Sequence, residues 1–302
     1  MSVLALPETL LRPARGLDHF VLAVRDLKAA GERFQALGFT TTPRARHPWG
    51  TENVLVQMHG CFIELLGMAP GVILDPPGPG EFSFGYYNQE YLRELEGLSM
   101  LVFSSLDAGA DRRHWLDQGL STYAPFDFSR TATLADGQQV PVAFSLGFVT
   151  HSEMPRATWF VCQQHYPENF WKPDFLRHAN GALGVDSVTL AADEPQRYGE
   201  FLEALFPEGQ VHKASGGVVL ELPRGRARVA PAPALESEYP GIEARVARHG
   251  PVFTTLKVRV KRLDTVTELL HRQEIDYHAV DGAIVVHPAE AFGLALVFRQ
   301  PA

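Results

Sequence analysis

One histidine stands inside an otherwise apolar run near the start of the chain, and its type and place predict chemistry. The run is LDHFVLAV, residues 17–24, and the histidine is His19. Strand alternation groups His19 with Leu17 and Val21, and places Asp18 on the opposite face. Because a buried imidazole needs a partner for its ring nitrogens, we expect a polar pocket or a metal ion on its side of the strand.

A second buried polar residue follows in FIELLG, residues 62–67, where Glu64 interrupts another apolar run. Two such residues, in two strands that are close in sequence, predict one site within one sheet. An imidazole and a carboxylate are both ligands of divalent metal ions. The pair His19 and Glu64 is therefore the first candidate for a metal site.

Composition limits the classes of protein to which the chain can belong. Its 302 residues are 45% hydrophobic and 21% charged, which predicts an ordinary globular protein of about two domains. The net charge is −8 and the sequence has no run of Lys or Arg, which argues against nucleic acid or an anionic membrane as partner. No apolar stretch reaches the roughly 18 residues of a membrane span.

We expect a cytoplasmic protein. Residues 1–15 lack the continuous apolar core of a signal peptide. The two cysteines, Cys61 and Cys162, each lie in an apolar run. This pattern favours buried free thiols over a disulfide.

An internal repeat predicts the architecture. Residues 16–39 align without a gap to residues 97–120, so that Gly16 meets Gly97. A third copy begins at Gly184, and a fourth, weaker copy spans residues 252–275. Each copy has the pattern of a strand, a turn and an amphipathic helix, and further strand-like runs follow it. The sequence therefore predicts four βαβββ units.

Segments rich in Pro, Gly or Ala separate the copies at residues 70–82, 178–184 and 230–241. We predict two domains of two units each, with the curved sheets wrapped around a cavity. The predicted bounds are 1–178 for the N-terminal domain, with units about 16–68 and 97–166, and 182–302 for the C-terminal domain, with units about 184–230 and 250–300.

The repeated units, and above all LDHFVLAV and GCFIELLG, resemble the vicinal oxygen chelate superfamily. This superfamily includes glyoxalase I, extradiol dioxygenases and bleomycin-resistance proteins, and the chain looks most like its glyoxalase-like members. The resemblance covers nearly the whole chain. It implies an α+β fold of four βαβββ units paired into two domains, with curved mixed sheets around a cavity. It also implies that the first and last strands of each unit supply ligands to one divalent ion.

The ligand positions of the superfamily map unevenly onto this chain. The first unit offers His19 and Glu64, whereas the opening strand of the second unit offers Met100, a poor ligand for a hard ion. The closing strand of the second unit offers Gln163 and His165. We favour His165, with Gln163 as the alternative, because a His/Glu/His set resembles the 2-His-1-carboxylate arrangement.

The C-terminal half offers no comparable ligands. Its opening strands carry Ser187 and Thr255, and Val297 stands where the first unit has Glu64. The resemblance therefore implies a site in the N-terminal half, occupied by a divalent ion such as Zn, Mn, Fe, Mg or Ni.

Further residues are candidates for the substrate pocket. Trp49, Thr51 and Asn53 lie where the second strand of the first unit begins, although turn chemistry also explains this segment. Residues 165–184 could form a lid that carries Trp171 and His178, or a plain linker. Two strand residues of the second unit, Met100 and Trp159, complete the predicted pocket.

Two functions from different classes remain open. The first is a metal-dependent enzyme on a small oxygen-rich molecule, either a lyase or isomerase, or an oxygenase if the metal is iron. The second is a metal-free protein that sequesters a small ligand, as bleomycin-resistance proteins do. A degenerate member that serves as a scaffold is a third possibility. A homodimer is compatible with the sequence.

Overall fold

The computed structural model describes residues 13–133, 137–214 and 216–301, which form two mixed, curved sheets with helices packed on them. The strands of the N-terminal half are β1 (Leu17–Ala23), β2 (Ala45–Arg46), β3 (Thr51–Met58), β4 (Cys61–Met68), β5 (Gly97–Ser104), β6 (Ser121–Thr122), β7 (Phe126–Thr133), β8 (Gln139–Thr150) and β9 (Thr158–Gln164). Those of the C-terminal half are β10 (Ala182–Ala192), β11 (Gln210–Ala214), β12 (Gly217–Glu221), β13 (Arg226–Pro231), β14 (Val252–Val260), β15 (Tyr277–Val280), β16 (Ala283–Val286) and β17 (Ala295–Arg299).

The described helices include one after the first strand of each unit, as the repeat predicts, and others in the segments between units. They are α1 (Leu27–Ala36), α2 (Phe84–Glu94), α3 (Ala108–Asp117), α4 (Pro167–Phe170), α5 (Gly199–Leu205), α6 (Ala232–Glu236), α7 (Ile242–His249) and α8 (Leu263–Arg272). Short 3-10 turns occur at Pro173–Leu176, Pro195–Tyr198 and Pro288–Glu290. Within the described ranges, no helix is both long enough and apolar enough to cross a membrane.

The pairing of the strands confirms the four units. The first sheet has the order β2-β3-β4-β1-β5-β9-β8-β6, with β7 paired to β8, and the second has the order β11-β12-β13-β10-β14-β17-β16-β15. In every unit the first strand pairs in parallel with the last strand. The first strands of the two units in each half pair antiparallel and join them into one sheet.

The aligned residues of the first two units make the same local structure. Asp26 caps α1 by accepting a hydrogen bond from Ala29 N, and Asp107 caps α3 by accepting one from Ala110 N. An N-cap carboxylate satisfies amides that the first turn of a helix leaves unpaired. Both helices are followed by a glycine with positive φ, Gly38 and its counterpart Gly119, as a left-handed helix terminus requires.

The largest core lies between the two halves and belongs to both. It contains one face of each sheet and the apolar faces of α1, α3, α5 and α8. Aromatic contacts cross from one half to the other, with ring centroids 5.0 Å apart for Phe103 and Phe206 and 5.2 Å apart for Trp159 and Phe253. The two halves therefore stabilise each other through one continuous apolar core.

The other faces of the two sheets differ. In the C-terminal half, α6 and α7 place Leu235, Ile242 and Val246 in one cluster with Val252 and Val297 of the sheet. In the N-terminal half, the corresponding face carries the smaller cluster around Met100 and Phe160 and opens into a cavity.

Asn180 ties the segment between the halves to the end of α1. It is fully buried, its Nδ2 donates to Leu37 O at 2.8 Å, and its Oδ1 accepts from Ala182 N at 3.0 Å. We expect Asn180→Ala to lower the free energy of unfolding by about 2 kcal/mol, because both partners lose a buried hydrogen bond. Urea titration measures this change. The exposed neighbour Arg177→Ala serves as control and is expected to stay within about 0.5 kcal/mol of wild type.

Candidate functional site

A cavity of about 650 Å³ opens on the N-terminal sheet. Its volume is typical of sites for small molecules. Both His19 and Glu64 line it. Aromatic side chains supply much of its wall, namely Phe62, Phe84, Phe128, Phe144, Phe160 and Phe170.

His19 is buried in β1 and its orientation is fixed by its neighbour Asp18. Because a carboxylate only accepts, His19 Nδ1–H donates to Asp18 Oδ1, at 2.6 Å. In the neutral ring this leaves the lone pair on Nε2. The ring also stacks on Phe62, with centroids 4.3 Å apart.

The predicted alternation is wrong at the start of β1. Leu17 packs in the large core with Phe20, whereas Asp18 reaches the ring of His19. The pairing of β1 with β5 is irregular between Leu17 and His19, and a bulge of this kind re-aims side chains. The carboxylate that orients His19 therefore comes from the residue next to it.

Glu64 is buried in β4, where three side chains surround its carboxylate. Asn53 Nδ2 donates to Glu64 Oε1 at 2.6 Å. His19 Nε2 lies 3.9 Å from Oε2, and His47 Nε2 lies 3.9 Å from Oε1. The two imidazoles therefore stand beside different oxygens of one carboxylate.

His47 presents a lone pair to the same site. Asn53 Nδ2 donates to His47 Nε2 at 3.3 Å, so the ring hydrogen lies on Nδ1, 2.9 Å from Thr51 Oγ1. Burial lowers the pKa of His47 from its ordinary value, although the charge of Glu64 acts in the opposite direction. The ring stacks on Trp49 with centroids 4.6 Å apart. Without an ion, the Nε2 lone pair of His47 accepts from Asn53, and an ion bound there would take the place of that hydrogen bond.

Cys162 is the third donor type at the site. Both cysteines are buried and free, as predicted. Ligand atoms of Asp18, His19 and Cys162 lie within 4.8 Å of one another. Burial raises the pKa of the Cys162 thiol well above its ordinary value, and the charges of Asp18 and Glu64 act in the same direction. Without an ion, Cys162 is a neutral thiol.

The second unit places apolar side chains at the positions equivalent to His19 and Glu64. In the first unit His19 pairs with Phe62, two residues before Glu64. In the second unit the aligned Met100 pairs with Thr158, so that Phe160 corresponds to Glu64. Both side chains are buried in one apolar cluster.

The two predicted ligands from β9 and its end do not reach His19 and Glu64. His165 is exposed, and its Nε2 lies 2.9 Å from Ser145 Oγ. Gln163 lies on the opposite face of β9, where its Oε1 accepts from Ala108 N at 3.1 Å. Neither residue is among those that line the cavity.

Of the predicted pocket residues, Trp49 and Asn53 line the cavity. Thr51 is fully buried, and its Oγ1 lies within hydrogen-bond distance of His47 Nδ1, at 2.9 Å. Met100 is buried in the apolar cluster under the cavity.

The three remaining predicted pocket residues have other surroundings. Trp159 packs in the core between the halves. Trp171 is buried, with its ring centroid 6.0 Å from that of Phe62. His178 bridges two segments, since its Nδ1 accepts from Thr40 N at 3.0 Å and its Nε2 donates to Gln57 O at 2.8 Å.

Sequence reasoning missed three residues of the site, and two of them left a signal. His47 has the same parity as Trp49, Thr51 and Asn53, so the pattern that selected those three also points to it. Cys162 alternates with Phe160 in β9, and both line the cavity. Asp18 left no signal, because the bulge that turns it is not visible in the sequence.

The donor atoms at the site fit a cation. Asp18 and Glu64 are both buried, and within the described ranges neither pairs with a lysine or an arginine. Burying a carboxylate without a compensating positive charge is costly. The lone pairs at His19 Nε2 and His47 Nε2 flank the Glu64 carboxylate, and a divalent ion would compensate all of these groups.

Paired βαβββ units around a cavity, with a histidine and a carboxylate in the first and last strands of a unit, define a protein of the vicinal oxygen chelate superfamily. Residues 17–206 match the family described as Glyoxalase-like domain. The chain belongs to this family. No curated protein matches its sequence.

Solved structures share the fold at low sequence identity. A hypothetical protein from Staphylococcus aureus has a TM-score of 0.68 at 10% identity, over 95% of this chain and 100% of its own. A mutant of 4-hydroxymandelate synthase from Streptomyces coelicolor has a TM-score of 0.59 at 13% identity, over 96% and 93%. A xylose isomerase-like TIM barrel/4-hydroxyphenylpyruvate dioxygenase fusion protein has a TM-score of 0.53 at 12% identity, over 96% and 50%.

We expect His178 to contribute to a dependence of the protein's stability on pH. Burial lowers its pKa, and so does the charge of His59. A histidine of this kind takes up a proton more readily when unfolded, so its contribution is present above about pH 6.5 and is lost as the pH falls through the lowered pKa. We expect a smaller free energy of unfolding at about pH 5.5 than at about pH 7.5, measured by urea titration.

The matched variant is His178→Gln, which removes the titrating group. Its free energy of unfolding is expected to fall less than that of wild type over the same pH interval. An equal fall in both proteins would show that His178 is not the source of the dependence.

Proposed function

We propose that the protein is a metal-dependent enzyme that acts on a small oxygen-rich molecule, with His19, His47 and Glu64 as the metal ligands. One observation carries this proposal. The Nε2 atoms of two imidazoles each lie 3.9 Å from a different oxygen of the same buried carboxylate. These residue types form a 2-His-1-carboxylate set, which leaves positions for substrate oxygens.

The surrounding residues support this set without binding the ion. Asp18 holds His19 in the tautomer whose Nε2 carries the lone pair, as the carboxylate partners of metal-bound histidines do. Asn53 donates to Glu64 Oε1 and orients that carboxylate, whereas its hydrogen bond to His47 Nε2 would give way to the ion. Thr51 holds the other nitrogen of His47. Each proposed ligand therefore has a partner that orients it.

The cavity wall adds to the chemistry. When bound, a divalent ion acts as a Lewis acid that stabilises negative charge developing on a coordinated oxygen. The aromatic rings of Phe62, Phe84 and Phe160 line the cavity and make its wall apolar. In such an apolar site, electrostatic interactions are stronger than in water.

The identity of the metal would separate the reaction classes. A 2-His-1-carboxylate set is typical of non-haem iron(II) oxygenases, and one structural neighbour is a fusion protein that includes a 4-hydroxyphenylpyruvate dioxygenase. A zinc, manganese, magnesium or nickel ion would instead favour a lyase or an isomerase.

We also propose a cytoplasmic location, because Cys61 and Cys162 are free thiols.

Metal analysis tests the proposal directly. We expect wild-type protein, purified without chelator or an affinity-tag metal, to carry about one divalent ion per chain. His19→Ala, Glu64→Ala and His47→Ala are each expected to bind it at least about tenfold more weakly, because each removes a ligand. Elemental analysis gives the content, and titration of the stripped protein gives the affinity.

His165→Ala is the matched control, because it removes an exposed histidine that lies outside the cavity lining. We expect it to bind metal as wild type does. Loss of metal in His165→Ala but not in His47→Ala would restore the ligand set predicted from the sequence. Metal content that is unaffected by His19→Ala and Glu64→Ala would contradict the proposed enzyme.

A metal-free binding protein is the second candidate, and one observation favours it. Met100 and Phe160 occupy the second unit's ligand positions, so half of the set expected for the superfamily is apolar. In that case wild type carries no bound divalent ion, and the cavity sequesters a small apolar ligand. The same metal analysis distinguishes the two candidates.

A further inference from the structure

A second cavity lies against the first, and its charged lining residues are both arginines. This groove, of about 550 Å³, is lined by residues that include Arg46, His47, Trp49, Phe128 and Arg130. His47, Trp49, Phe128 and Arg130 also line the larger cavity, so the two share one wall. No Asp or Glu is among the described residues that line the groove.

The two arginines of the groove lack anionic partners. Elsewhere Arg44 pairs with Glu52, and Arg15 pairs with Asp111. In the part of the chain that the structure describes, neither Arg46 nor Arg130 forms an ion pair or a side-chain hydrogen bond. In a protein of net charge −8, two unpaired arginines at one groove are a local excess of positive charge.

Trp49 adds a third donor to the shared wall. Its ring stands edge-on to Phe126 and Phe128, with centroids 5.2 Å and 4.8 Å away. Its Nε1 is buried, and among the described residues it has no hydrogen-bond partner. Among the described residues, the buried Nε1 atoms of Trp159 and Trp171 are unpaired in the same way, so the case for an anion rests on the two arginines.

We propose that the groove binds an anionic group of the substrate, while the apolar part of the same molecule lies in the aromatic cavity. This inference rests on the proposed function, because it assigns a substrate class to the same site. Carboxylate and phosphate groups share the required chemistry, since arginine binds both through two parallel hydrogen bonds. The substrate is thus an anion with an apolar body and an oxygen-rich end.

The charge of Arg130 supports this placement. Arg130 is an exposed residue of the groove, and partial burial of its guanidinium lowers its pKa. The same positive charge acts on His47, which is itself one of the proposed metal ligands. An anion bound at Arg130 would therefore lie near the site without occupying the space beside Glu64.

Two fluorescent probes that share a ring skeleton test the inference. One is 8-anilinonaphthalene-1-sulfonate and the other is N-phenyl-1-naphthylamine, which lacks the sulfonate. We expect the metal-stripped wild type to bind the sulfonate more tightly. Arg46→Gln and Arg130→Gln are each expected to weaken its binding about tenfold, because a charge-assisted hydrogen bond is lost, and to leave the neutral probe unchanged.

Arg272→Gln is the matched control, since it removes the same charge from an exposed position on α8 that lines neither cavity. Competition by benzoate and by phenyl phosphate then separates a carboxylate from a phosphate ester. The inference is overturned by equal binding of the two probes to wild type, by an equal effect of Arg272→Gln, or by failure of both competitors. His19→Ala should keep the preference for the sulfonate, which separates this test from that of the metal.

Discussion

Every unit of this protein depends on one constraint, the parallel pairing of its first strand with its last. Two parallel strands need a long connection, and here a helix and antiparallel strands supply it. In the first unit this pairing brings β1 beside β4, with Val21 opposite Glu64. His19 and Glu64, which are 45 positions apart in the sequence, therefore lie on one face of one sheet. The site follows from the pairing of the backbone.

Burying negative charge at this site costs free energy. Two carboxylates are buried there, Asp18 beside the ring of His19 and Glu64 at the aromatic cavity, and burial removes much of their hydration. Hydrogen bonds from His19 to Asp18 and from Asn53 to Glu64 offset part of that cost. They do not compensate the negative charge itself. A cation does, and this is why the donor set and its apolar surroundings together favour a metal site over a hydrogen-bonded network.

Sequence analysis could predict the units and the shared location of His19 and Glu64, because these depend on repeated patterns. His19 and Glu64 each interrupt an apolar run within an aligned unit, so their common location follows from the order of the elements. The choice of the second histidine ligand could not be made from repeated patterns. His165 lies beyond the last strand of its unit, whereas His47 follows an edge strand of two residues that periodicity does not show. Asp18 depended on an irregular pairing that the sequence does not display.

The four units also show which residues the fold itself requires. At the two ligand positions the other units carry Met100 and Phe160, Ser187 and Arg228, or Thr255 and Val297, each in the same strand pairing. Hydrophobic, hydroxyl and cationic side chains are thus all compatible with the architecture. A buried histidine and glutamate are the costly choice among these, since apolar residues at those positions pack without desolvating a charge. The stability of the fold therefore does not explain why the first unit has His19 and Glu64 at these positions. Buried polar residues that cost stability in this way concentrate at functional sites.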